Sequence, residues 1–521
     1  MTGEHEHGSS SRPCCCDHSC LVDSAMAVSR RHFLTASGIA VSMAAMGAPA
    51  VQSALAGAVT TAPAVPGRRA LVVKPVLSYE TPTRRPQTSW RNWGGIQTRE
   101  HAAEELARIA GELDKLKTSA DFPITVLPPT GVRNGGELEK LEDLGQADAV
   151  IIYAAGGPSN VFDAALKTGK HVIIFLRHRS GPVYLWYEIV SPRYLRRHTD
   201  HLAVKGIDDG DVVVDSVDEL AWRLRALCGL KNALGTKIVA IGGAGGWETP
   251  NAPELAKAKW KLDIHTVSYA ELRKLLAAAM EDQDARKLAA DRAARYLADP
   301  LVKLETDRSF VENAFVLEQV FRSLMNQAGA TAITVNHCMG TIMPMSRTTA
   351  CLTLSLLNDD GYLAFCESDF VVIPAGILLS NIAGRPNFLN DPTYPHAGVI
   401  TLAHCTAPRR LDGKNLEPVR VMTHFESDYG AAPKVEMRKG QVVTNVIPDF
   451  AAVRYVGLLG EIVDAPLLDI CRSQIDVAYK VPDDKIALNM PGFHWETIYG
   501  DWTRETGYAL KKIPIAWTFL G

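Results

Sequence analysis

The chain has little net charge and no glycine-rich phosphate loop. Its 521 residues include 55 lysines and arginines against 58 aspartates and glutamates, a formal charge of −3. This balance gives no indication of a nucleic acid or an acidic lipid surface as partner. A glycine-rich run from Gly242 to Gly246 lacks the Gly-x-Gly-x-x-Gly spacing that binds dinucleotides. We interpret it as a loop beside a cleft, in which Trp247 offers a flat surface for a sugar ring; a plain connecting loop is the alternative.

Long apolar runs are also missing, apart from one near the N-terminus. Arg30 and Arg31 precede an Ala/Gly/Ser-rich segment of moderate hydropathy that ends in Ala54-Leu55-Ala56. The arginine pair, the weakly apolar core and the Ala-x-Ala sequence resemble a twin-arginine export signal. A membrane anchor is the alternative, which the many small residues and the proline of the segment disfavour. We therefore expect residues 1–56 to be a leader, and the mature chain to be periplasmic or extracellular without membrane contact.

Cysteine is sparse once this leader is set aside. Six cysteines remain, with no tight spacing between them: Cys228, Cys338, Cys351, Cys366, Cys405 and Cys471. At this density in an exported protein we expect buried thiols rather than a disulfide scaffold. Cys366 and Cys405 each adjoin a residue that is considered below as a metal ligand, so we expect them to pack behind it.

The sequence does contain a regular alternation of strand and helix patterns. With 47% hydrophobic residues, a chain of this length can form two to three packed domains. Five strand patterns alternate with helical patterns in the first part of the chain: residues 70–73, 124–127, 149–153, 172–176 and 212–214. This alternation predicts a parallel sheet.

A second cycle of the same kind starts at residue 237 and ends in a strand pattern at residues 332–335. From about residue 339 the pattern changes to longer β runs separated by turns. We therefore predict an α/β protein with two Rossmann-like parallel-sheet domains, at residues 57–232 and 233–338. A mixed α+β catalytic domain at residues 339–521 follows them.

Two acidic residues, Glu367 and Asp391, each come after apolar residues of a strand pattern and stand 24 positions apart in the sequence. The first comes after the pattern at residues 361–365, and the second follows a pattern that begins at residue 387. A helical pattern at residues 370–382 separates them. Both carboxylates are therefore expected at the carboxyl ends of strands, where open α/β sheets bind their ligands. Two acids held side by side repel each other, and a shared proton or a divalent cation relieves that repulsion.

Two histidines offer further ligands to the same site. His494 stands in the segment Pro491-Gly492-Phe493-His494-Trp495, and His404 follows an apolar strand pattern. Two carboxylates with one or two imidazoles form a hard, oxygen-rich site suited to manganese, magnesium or iron, with positions left for substrate oxygens. For His404, a hydrogen-bonded core histidine is the alternative.

At these residues the chain resembles the L-fucose isomerase and L-arabinose isomerase superfamily, from about residue 330 to 505. In L-fucose isomerases an Ala-Cys-Glu-x-Asp strand end carries a glutamate that binds metal and moves protons. A Gly-x-Pro turn then leads to an aspartate at the separation found here, and a late histidine precedes a Tyr-Gly pair. The resemblance implies that Glu367 and Asp391 are metal ligands and the acid/base pair, and that His494 is the third ligand. The arabinose branch, in which a histidine after an acid-Tyr-Thr-Tyr run completes the site, implies His404 as a fourth.

A second register is conceivable for the second acid. If the Phe-Leu pair before it is matched to the family's Phe-Met pair, Asn390 rather than Asp391 falls on the ligand position. We favour Asp391, because the Gly384-x-Pro386 turn fixes the register and an asparagine is a weak metal ligand.

Residues on three other segments are candidates for substrate contact. Asn336 and His337 follow an apolar strand pattern and stand where a family member contacts sugar hydroxyls. His424, Glu426 and Asp428 alternate along another strand pattern, so that one face of it can line a pocket; a polar outer face is the alternative. Fucose isomerases have a glycine-rich segment there, so the identity of the sugar stays open.

The resemblance implies a metal-dependent aldose–ketose isomerase that acts on a free monosaccharide, with Mn²⁺ as cofactor. In such a reaction the ion stabilises an enediolate, one carboxylate takes the C–H proton and the other serves the hydroxyl. We also expect a homo-oligomer. Two alternatives stay open: another metal-dependent sugar enzyme, such as a lyase or an epimerase, and a non-catalytic periplasmic sugar-binding protein.

Overall fold

The computed structural model describes residues 67–184 and 206–521. The expected leader, residues 1–56, with its arginine pair, lies outside the described residues. Among the residues that are described, no helix has the length and apolar character needed to cross a lipid bilayer.

The described residues form helices and strands in alternation through the first two thirds of the chain. The helices are α1 (Arg99–Ser119), α2 (Gly135–Glu139), α3 (Asn160–Lys167), α4 (Val217–Ala233), α5 (Ala252–Trp260), α6 (Tyr269–Glu281), α7 (Gln283–Leu297), α8 (Arg308–Ala328), α9 (Met343–Ser346), α10 (Ala350–Asp359), α11 (Ile373–Ala383), α12 (Asp483–Ala487) and α13 (Thr503–Lys511). The strands are β1 (Leu71–Ser78), β2 (Ile124–Val126), β3 (Thr130–Val132), β4 (Ala149–Ala154), β5 (His171–Leu176), β6 (Val212–Val214), β7 (Lys237–Ile241), β8 (Asp263–Val267), β9 (Val302–Leu304), β10 (Ala332–Val335), β11 (Leu363–Phe365), β12 (Phe388–Pro392), β13 (Val399–His404), β14 (Val419–His424), β15 (Tyr429–Val435), β16 (Val442–Pro448), β17 (Arg454–Asp464), β18 (Ser473–Ala478), β19 (Trp495–Tyr499) and β20 (Ala516–Leu520).

The first sheet is parallel throughout and has the order β2-β1-β4-β5-β6, with β3 beside the second half of β1. Its central strand β4 is buried along its whole length, as the uninterrupted run Ala-Val-Ile-Ile-Tyr-Ala requires of a strand covered on both faces. Helix α1 packs against this layer with a stripe of buried residues at helical spacing that includes Ala102, Ile109 and Leu116. Thr98 caps the first turn of α1, because its side chain accepts a hydrogen bond from the backbone N–H of His101.

The second sheet is also parallel and has the order β11-β10-β7-β8. The two parallel sheets confirm the predicted α/β class. Strand β11 pairs with β10 through Ile333 and Ala364, so this sheet continues beyond residue 338, the expected end of the second domain. The carboxyl ends of β7, β10 and β11 consequently lie together at one edge of the sheet.

The C-terminal region forms an antiparallel barrel, where the sequence predicted only a mixed α+β arrangement. Strands β16, β19, β12, β13, β18 and β17 pair in that order, and β17 pairs back onto β16 to close the ring. Strand β20 adds to β17 in parallel, and β9, β14 and β15 form a separate small sheet. The interior of the barrel is filled by buried side chains such as Ile400, Leu402 and Val456. Closure leaves the ring without unpaired strand edges.

Helix α11 joins the second sheet to the barrel. The sequence pattern predicted this helix from residue 370, but it starts at Ile373, with Pro374 in the first turn, where a proline costs no hydrogen bond. Gly384 ends it in the left-handed conformation, at a φ of +68°. The helix is almost wholly buried and packs against α4 of the first sheet layer. It therefore fixes the carboxyl end of β11 beside the barrel strand β12.

The prediction of one continuous strand through residues 421–435 is wrong. Strand β14 ends at His424, a turn follows, and β15 starts at Tyr429 as its antiparallel neighbour. Glu426 and Asp428 lie in this turn and are exposed. Because the alternation is interrupted, these two residues and His424 do not share one face of a strand.

Candidate metal centre

Four side chains singled out by the sequence converge where the second sheet meets the barrel. The Nε2 atom of His494 lies 3.1 Å from Oε2 of Glu367 and 3.2 Å from Oδ1 of Asp391. The Nε2 atom of His404 lies 3.5 Å from Oε1 of Glu367. Two carboxylates and two imidazoles are thus directed at one small region.

Three of these residues belong to neighbouring strands at the same rim of the barrel. Asp391 on β12 pairs with Ala403, the residue before His404 at the end of β13. His494 directly precedes β19, whose first residue, Trp495, pairs with Asn390. The rim therefore brings an acid and two histidines together from segments far apart in the chain.

The structure also distinguishes between Asn390 and Asp391, the two residues considered for the second ligand position. Successive residues of a strand point to opposite faces. The amide Nδ2 of Asn390 donates hydrogen bonds to the carbonyl of Phe388 and to Oγ1 of Thr497, within the sheet. Asp391 is the residue whose carboxylate faces His494.

Glu367 reaches the barrel rim from the second sheet through an unusual turn. Glu367 and Ser368 adopt left-handed backbone conformations, with φ of +66° and +48°. Such conformations cost of order 1–3 kcal/mol each in residues other than glycine and are found mainly at functional sites. The backbone N–H of Ser368 donates to Oγ1 of Thr334, and Gly245 exchanges backbone hydrogen bonds with Ser368 and Phe370. These bonds hold the turn so that the Glu367 side chain extends beyond the sheet edge.

Within the described part of the chain, the converging atoms make no hydrogen bonds of their own. Oε2 of Glu367, Oδ1 of Asp391 and Nε2 of both histidines are buried and unpartnered, whereas buried polar atoms in proteins are nearly always hydrogen-bonded. Ligands bound at right angles to one ion at about 2.1 Å lie roughly 3 Å apart, which matches the two separations measured at His494. The chemistry of the donor set, carboxylate oxygens with imidazole nitrogens, suits Mn²⁺ or a similar divalent ion. The residues present therefore fit the expected metal.

Asp369 is a further member of the site, which the sequence analysis did not identify. Its Oδ2 lies 2.6 Å from Nδ1 of His494, and the residue is almost fully buried. Nδ1 of His404 lies 3.0 Å from Oγ1 of Thr406 in the same way. A carboxylate that accepts the Nδ1 proton of a histidine leaves the Nε2 lone pair directed at the metal. The signal in the sequence is the position of Asp369, two residues after Glu367.

The electrostatics of the cluster favour a cation. Burial opposes the charge of Glu367, but the imidazoles of His404 and His494 outweigh it and hold the pKa of this carboxyl well below its usual range. Burial likewise opposes a charge on His404, but Glu367 and then Asp391 raise the pKa of this histidine to about 9. The pKa of His494 is raised well above its usual value, against the effect of burial, by Asp369, Asp391 and Glu367. A metal ion that binds here would displace protons from the imidazoles.

The two acids are more accessible than the two histidines. The side chains of Glu367 and Asp391 are 16% and 23% exposed, against 3% and 1% for His404 and His494. A small molecule can therefore approach the carboxylates, while the imidazoles are enclosed. The thiol of Cys366 lies within 4.8 Å of ligand atoms of Glu367 and His404, beside the centre.

The remaining candidates for substrate contact differ in their position. The Trp247 ring packs edge-on against His494, with ring centroids 5.5 Å apart, so the glycine-rich loop does lie beside the centre. Asn336 and His337 follow β10, between β7 and β11, at the edge of the sheet that carries Glu367. Asn336 is half-buried and His337 is exposed.

His424 and Glu426 are not among the side chains that converge at the carboxylate centre. Glu426 makes no hydrogen bond with the four ligands in the described part of the chain and is exposed in the β14–β15 turn. His424 is buried beside Cys351 and Cys405. Burial, aided by the charges of His404 and Arg472, lowers the pKa of His424 to about 4, so its imidazole is neutral at physiological pH.

A further buried acid stands behind the centre. Glu496, on β19, is fully buried, and neither of its carboxylate oxygens has a hydrogen-bond partner among residues 67–184 and 206–521. Burial raises the pKa of Glu496 well above its usual range, against the nearby charges of His494 and His404. Glu496 therefore favours its neutral, protonated form.

No model of a protein family matches this chain, and a search of curated proteins finds no relative.

Proposed function

We propose that the protein is a metal-dependent aldose–ketose isomerase that acts on a free monosaccharide. The observation that supports this proposal most is the convergence of buried, unpartnered ligand atoms from Glu367, Asp391, His404 and His494. An ion bound between these four atoms would give each of them a partner, as buried polar atoms in proteins nearly always have. The resemblance to fucose and arabinose isomerases supports the reaction class, because the same residues carry it.

These four residues would hold Mn²⁺ or a similar divalent ion. When bound, the ion acts as a Lewis acid on two adjacent oxygens of the sugar. Asp369 holds the His494 ring through the bond to Nδ1, so that Nε2 keeps its lone pair for the ion. The two histidine side chains are only 3% and 1% exposed, which favours a role as ligands over direct contact with the substrate.

The two accessible carboxylates would carry the proton transfers. In an aldose-to-ketose conversion the proton on C2 is removed and one is returned to C1, while the hydroxyl proton of O2 leaves and O1 gains one. One of Glu367 and Asp391 moves the carbon-bound proton and the other serves the hydroxyls. Trp247, beside His494, offers the sugar an apolar face, with Asn336 and His337 at the same sheet edge.

The architecture agrees with this assignment. We propose that the two parallel sheets are the cores of two Rossmann-like domains and that the barrel is the core of the catalytic domain. Glu367 would then be contributed by the last strand of the second sheet, with the other three ligands on the barrel. We also propose a homo-oligomer, which sedimentation of the mature protein would test.

Export by the twin-arginine route completes the proposal. Arg30 and Arg31 support it, together with the Ala-x-Ala sequence at Ala54-Leu55-Ala56. Replacement of both arginines by lysine should leave the full-length precursor inside the cell, as fractionation followed by immunoblotting would detect. Normal export of that double variant would contradict the assigned route.

The reaction itself is tested by following hydrogen at C2 in heavy water. Mature protein saturated with Mn²⁺ should incorporate solvent deuterium at C2 or transfer hydrogen between C2 and C1 in at least one of a panel of aldoses that includes fucose and arabinose. NMR detects both events. General acid–base catalysis is commonly worth about 10² to 10⁴-fold, so metal-saturated Glu367→Gln should lose at least that factor.

The matched control is Glu104→Gln, which should keep full activity. Glu104 is exposed on α1, a helix remote in sequence from all four ligands of the centre. Loss of water or inversion at one carbon, in place of ketose formation, would favour a lyase or an epimerase. Binding of a sugar without any exchange or transfer across the panel, with metal present, would favour a binding protein.

A further inference from the structure

A second group of metal-binding side chains lies beside the carboxylate centre. The thiols of Cys351 and Cys405 and a ring nitrogen of His424 lie within 4.8 Å of one another. All three residues are buried, with exposed fractions of 6%, 3% and 4%. Cys351 stands in the first turn of α10, Cys405 follows β13, and His424 ends β14. Three elements that are distant in the chain thus bring soft ligands together.

A third thiol adjoins this group. The Cys405 thiol contacts both Cys351 and Cys471. The segment that carries Cys471 is fixed to β14, because Nε of Arg472 donates to the carbonyl of Thr423 at 2.7 Å, next to His424. Cys471 itself is held by a hydrogen bond from Gln474 to its carbonyl. The scaffold therefore fixes two thiols and one imidazole close together, with the third thiol beside Cys405.

Packing alone accounts for buried cysteines but not for the histidine. A buried thiol behaves as a small apolar group, whereas a buried imidazole requires polar partners. In the described part of the chain the one hydrogen bond of the His424 ring is a contact of 3.5 Å between Nδ1 and Oγ of Ser427, at the upper limit for such a bond. The ring is therefore poorly satisfied among thiols, in a position where a metal ion would serve as its partner.

The helix N-terminus adds an electrostatic reason. Thiolates are stabilised at helix N-termini, and Cys351 lies in the first turn of α10. The bond between Thr349 Oγ1 and the carbonyl of Ala431 attaches that helix end to β15, the partner of β14. Cys351 is thus held where a negative sulfur is favourable and where it faces His424.

We infer that Cys351, Cys405 and His424 bind one soft divalent ion of the Zn²⁺ class, separate from the carboxylate centre, and that Cys471, which adjoins Cys405, is the nearest thiol for the fourth position. Thiolate and imidazole ligands in a tetrahedral zinc site lie roughly 3.5–3.8 Å apart, which the cluster accommodates. Thiolate sites select zinc, whereas carboxylate-rich sites select manganese or magnesium. His404 ends β13 and Cys405 follows it directly, so one strand end would supply a ligand to each of two chemically different centres.

Cobalt spectroscopy of the reduced, metal-free mature chain tests this site. Titration with Co²⁺ should produce a sulfur-to-cobalt charge-transfer band with the intense visible absorption of a tetrahedral ion, saturating at one equivalent. Zn²⁺ should bleach the band and Mn²⁺ should not. Cys405→Ser and Cys351→Ser should each abolish it.

Three control variants separate the two centres. Cys228→Ser changes a buried cysteine on α4, Cys366→Ser removes the thiol beside Glu367, and Glu367→Gln alters the carboxylate centre; all three should keep the band. Loss of the band in Cys366→Ser, with its retention in Cys405→Ser, would assign the sulfur ligand to the carboxylate centre and overturn the inference. Isomerase activity and the charge-transfer band are separate measurements, and Glu367→Gln should lose the activity but keep the band. Failure of one proposal is therefore distinguishable from failure of the other.

A measurement on the unaltered chain covers the case in which a cysteine variant fails to fold. Bound Zn²⁺ should protect Cys351, Cys405 and Cys471 from alkylation, as peptide mass spectrometry would show, and a chelator should restore their reactivity. Equal labelling with and without Zn²⁺, absence of any charge-transfer band, or a disulfide from Cys405 to Cys351 or Cys471 in the exported protein would each overturn the inference.

Discussion

Asp369 acts on the centre only through His494. Asp369→Asn keeps the acceptor for the backbone N–H of Val371 but removes the carboxylate that receives the Nδ1 proton of His494. We expect the affinity for Mn²⁺ to fall by roughly 10 to 100-fold with all four ligands still present. Isothermal titration of the metal-free protein would measure the change. Asp114→Asn, at an exposed position of α1, should leave the affinity unaltered, and equal affinities in the two variants would contradict the role given to Asp369.

Asp359 makes the stability of the fold depend on pH. It is buried at the end of α10 and accepts hydrogen bonds from the backbone N–H groups of Arg409 and Arg410. Burial raises the pKa of Asp359 to about 7, although these donors oppose the shift. A carboxyl with a raised pKa in the folded state binds a proton that the unfolded chain has lost. The stability that protonated Asp359 contributes to the fold is therefore complete below about pH 4 and is lost as the pH rises through 7.

Asp359→Asn cannot ionise and keeps the acceptor oxygen. Between pH 5 and pH 8 the free energy of unfolding of the wild-type protein should fall relative to that of the variant by up to about 2.7 kcal/mol, because about two pH units of this interval lie below the pKa of 7 and each corresponds to about 1.4 kcal/mol. Denaturant titrations of both proteins at the two pH values would give the difference, in which the other titrating groups cancel. Parallel pH profiles would show that Asp359 is already ionised at pH 5.

Single residues differ in how far the sequence reveals them. Glu367 and Asp391 were predictable, because a local strand pattern precedes each and a turn fixes their separation. The bond between Asp369 and His494 joins residues 125 positions apart, so no local pattern discloses it. The grouping of Cys351, Cys405 and His424 has the same origin: their spacing in the chain resembles no metal motif, and only the folded sheets bring them together.

Among the elements, α11 is packed so closely that a larger side chain at Gly376 would not fit without displacing its neighbours. Gly376 is the fourth of the eleven residues of α11, and a Cβ added there would lie 2.5–2.6 Å from the Asn387 amide, the Phe365 ring and Oε1 of Glu496. Overpacking of a buried site typically costs about 1–3 kcal/mol, and here it would also displace β11 and β19, which hold Glu367 and His494. We expect Gly376→Ala to lower the unfolding temperature and weaken Mn²⁺ binding together, as differential scanning calorimetry and metal titration would show.

Gly111 on α1 provides the matched control for this substitution. It is an exposed helix-interior glycine with no atom within 4 Å of an added Cβ. Gly111→Ala should stabilise the protein by up to about 1 kcal/mol, because alanine is the better helix former. Equal effects of the two substitutions would mean that α11 tolerates the extra methyl group.

Elements with a clear local period were predictable, and those defined by remote pairing were not. The run from Ala149 to Ala154 and the stripe on α1 identify a buried strand and an amphipathic helix without further context. The closure of the barrel depends on pairs such as Asn390 with Trp495, which no neighbouring residue encodes. The turn at residues 425–428 was missed because His424, Glu426 and Asp428 stand at alternate positions, as they would along one strand, and the bend appears only when β15 pairs back onto β14.

At the scale of the whole molecule, the carboxylate centre connects the second sheet to the barrel. An ion bound there should therefore stabilise the native state against separation of the two parts. At a free Mn²⁺ concentration 100-fold above the dissociation constant, the stabilisation is about 2.7 kcal/mol. We expect a rise in the thermal transition of the wild-type protein that EDTA reverses. Asp391→Ala should show no such rise, whereas Asp114→Asn should show the full one.

The order of the ligands along the chain determines when this connection forms. Asp369 and His494 are 125 positions apart, and ribosomes add roughly 5–20 residues per second, so the acids precede their histidine by roughly 6–25 s. During this interval the nascent chain carries only part of a binding site, which retains an ion weakly. Metal loading would therefore belong to the final stage of folding. The proposed twin-arginine route carries folded proteins, so the ion would be bound in the cytoplasm. Its identity would then depend on the metal concentrations of the cytoplasm and not on those outside the cell.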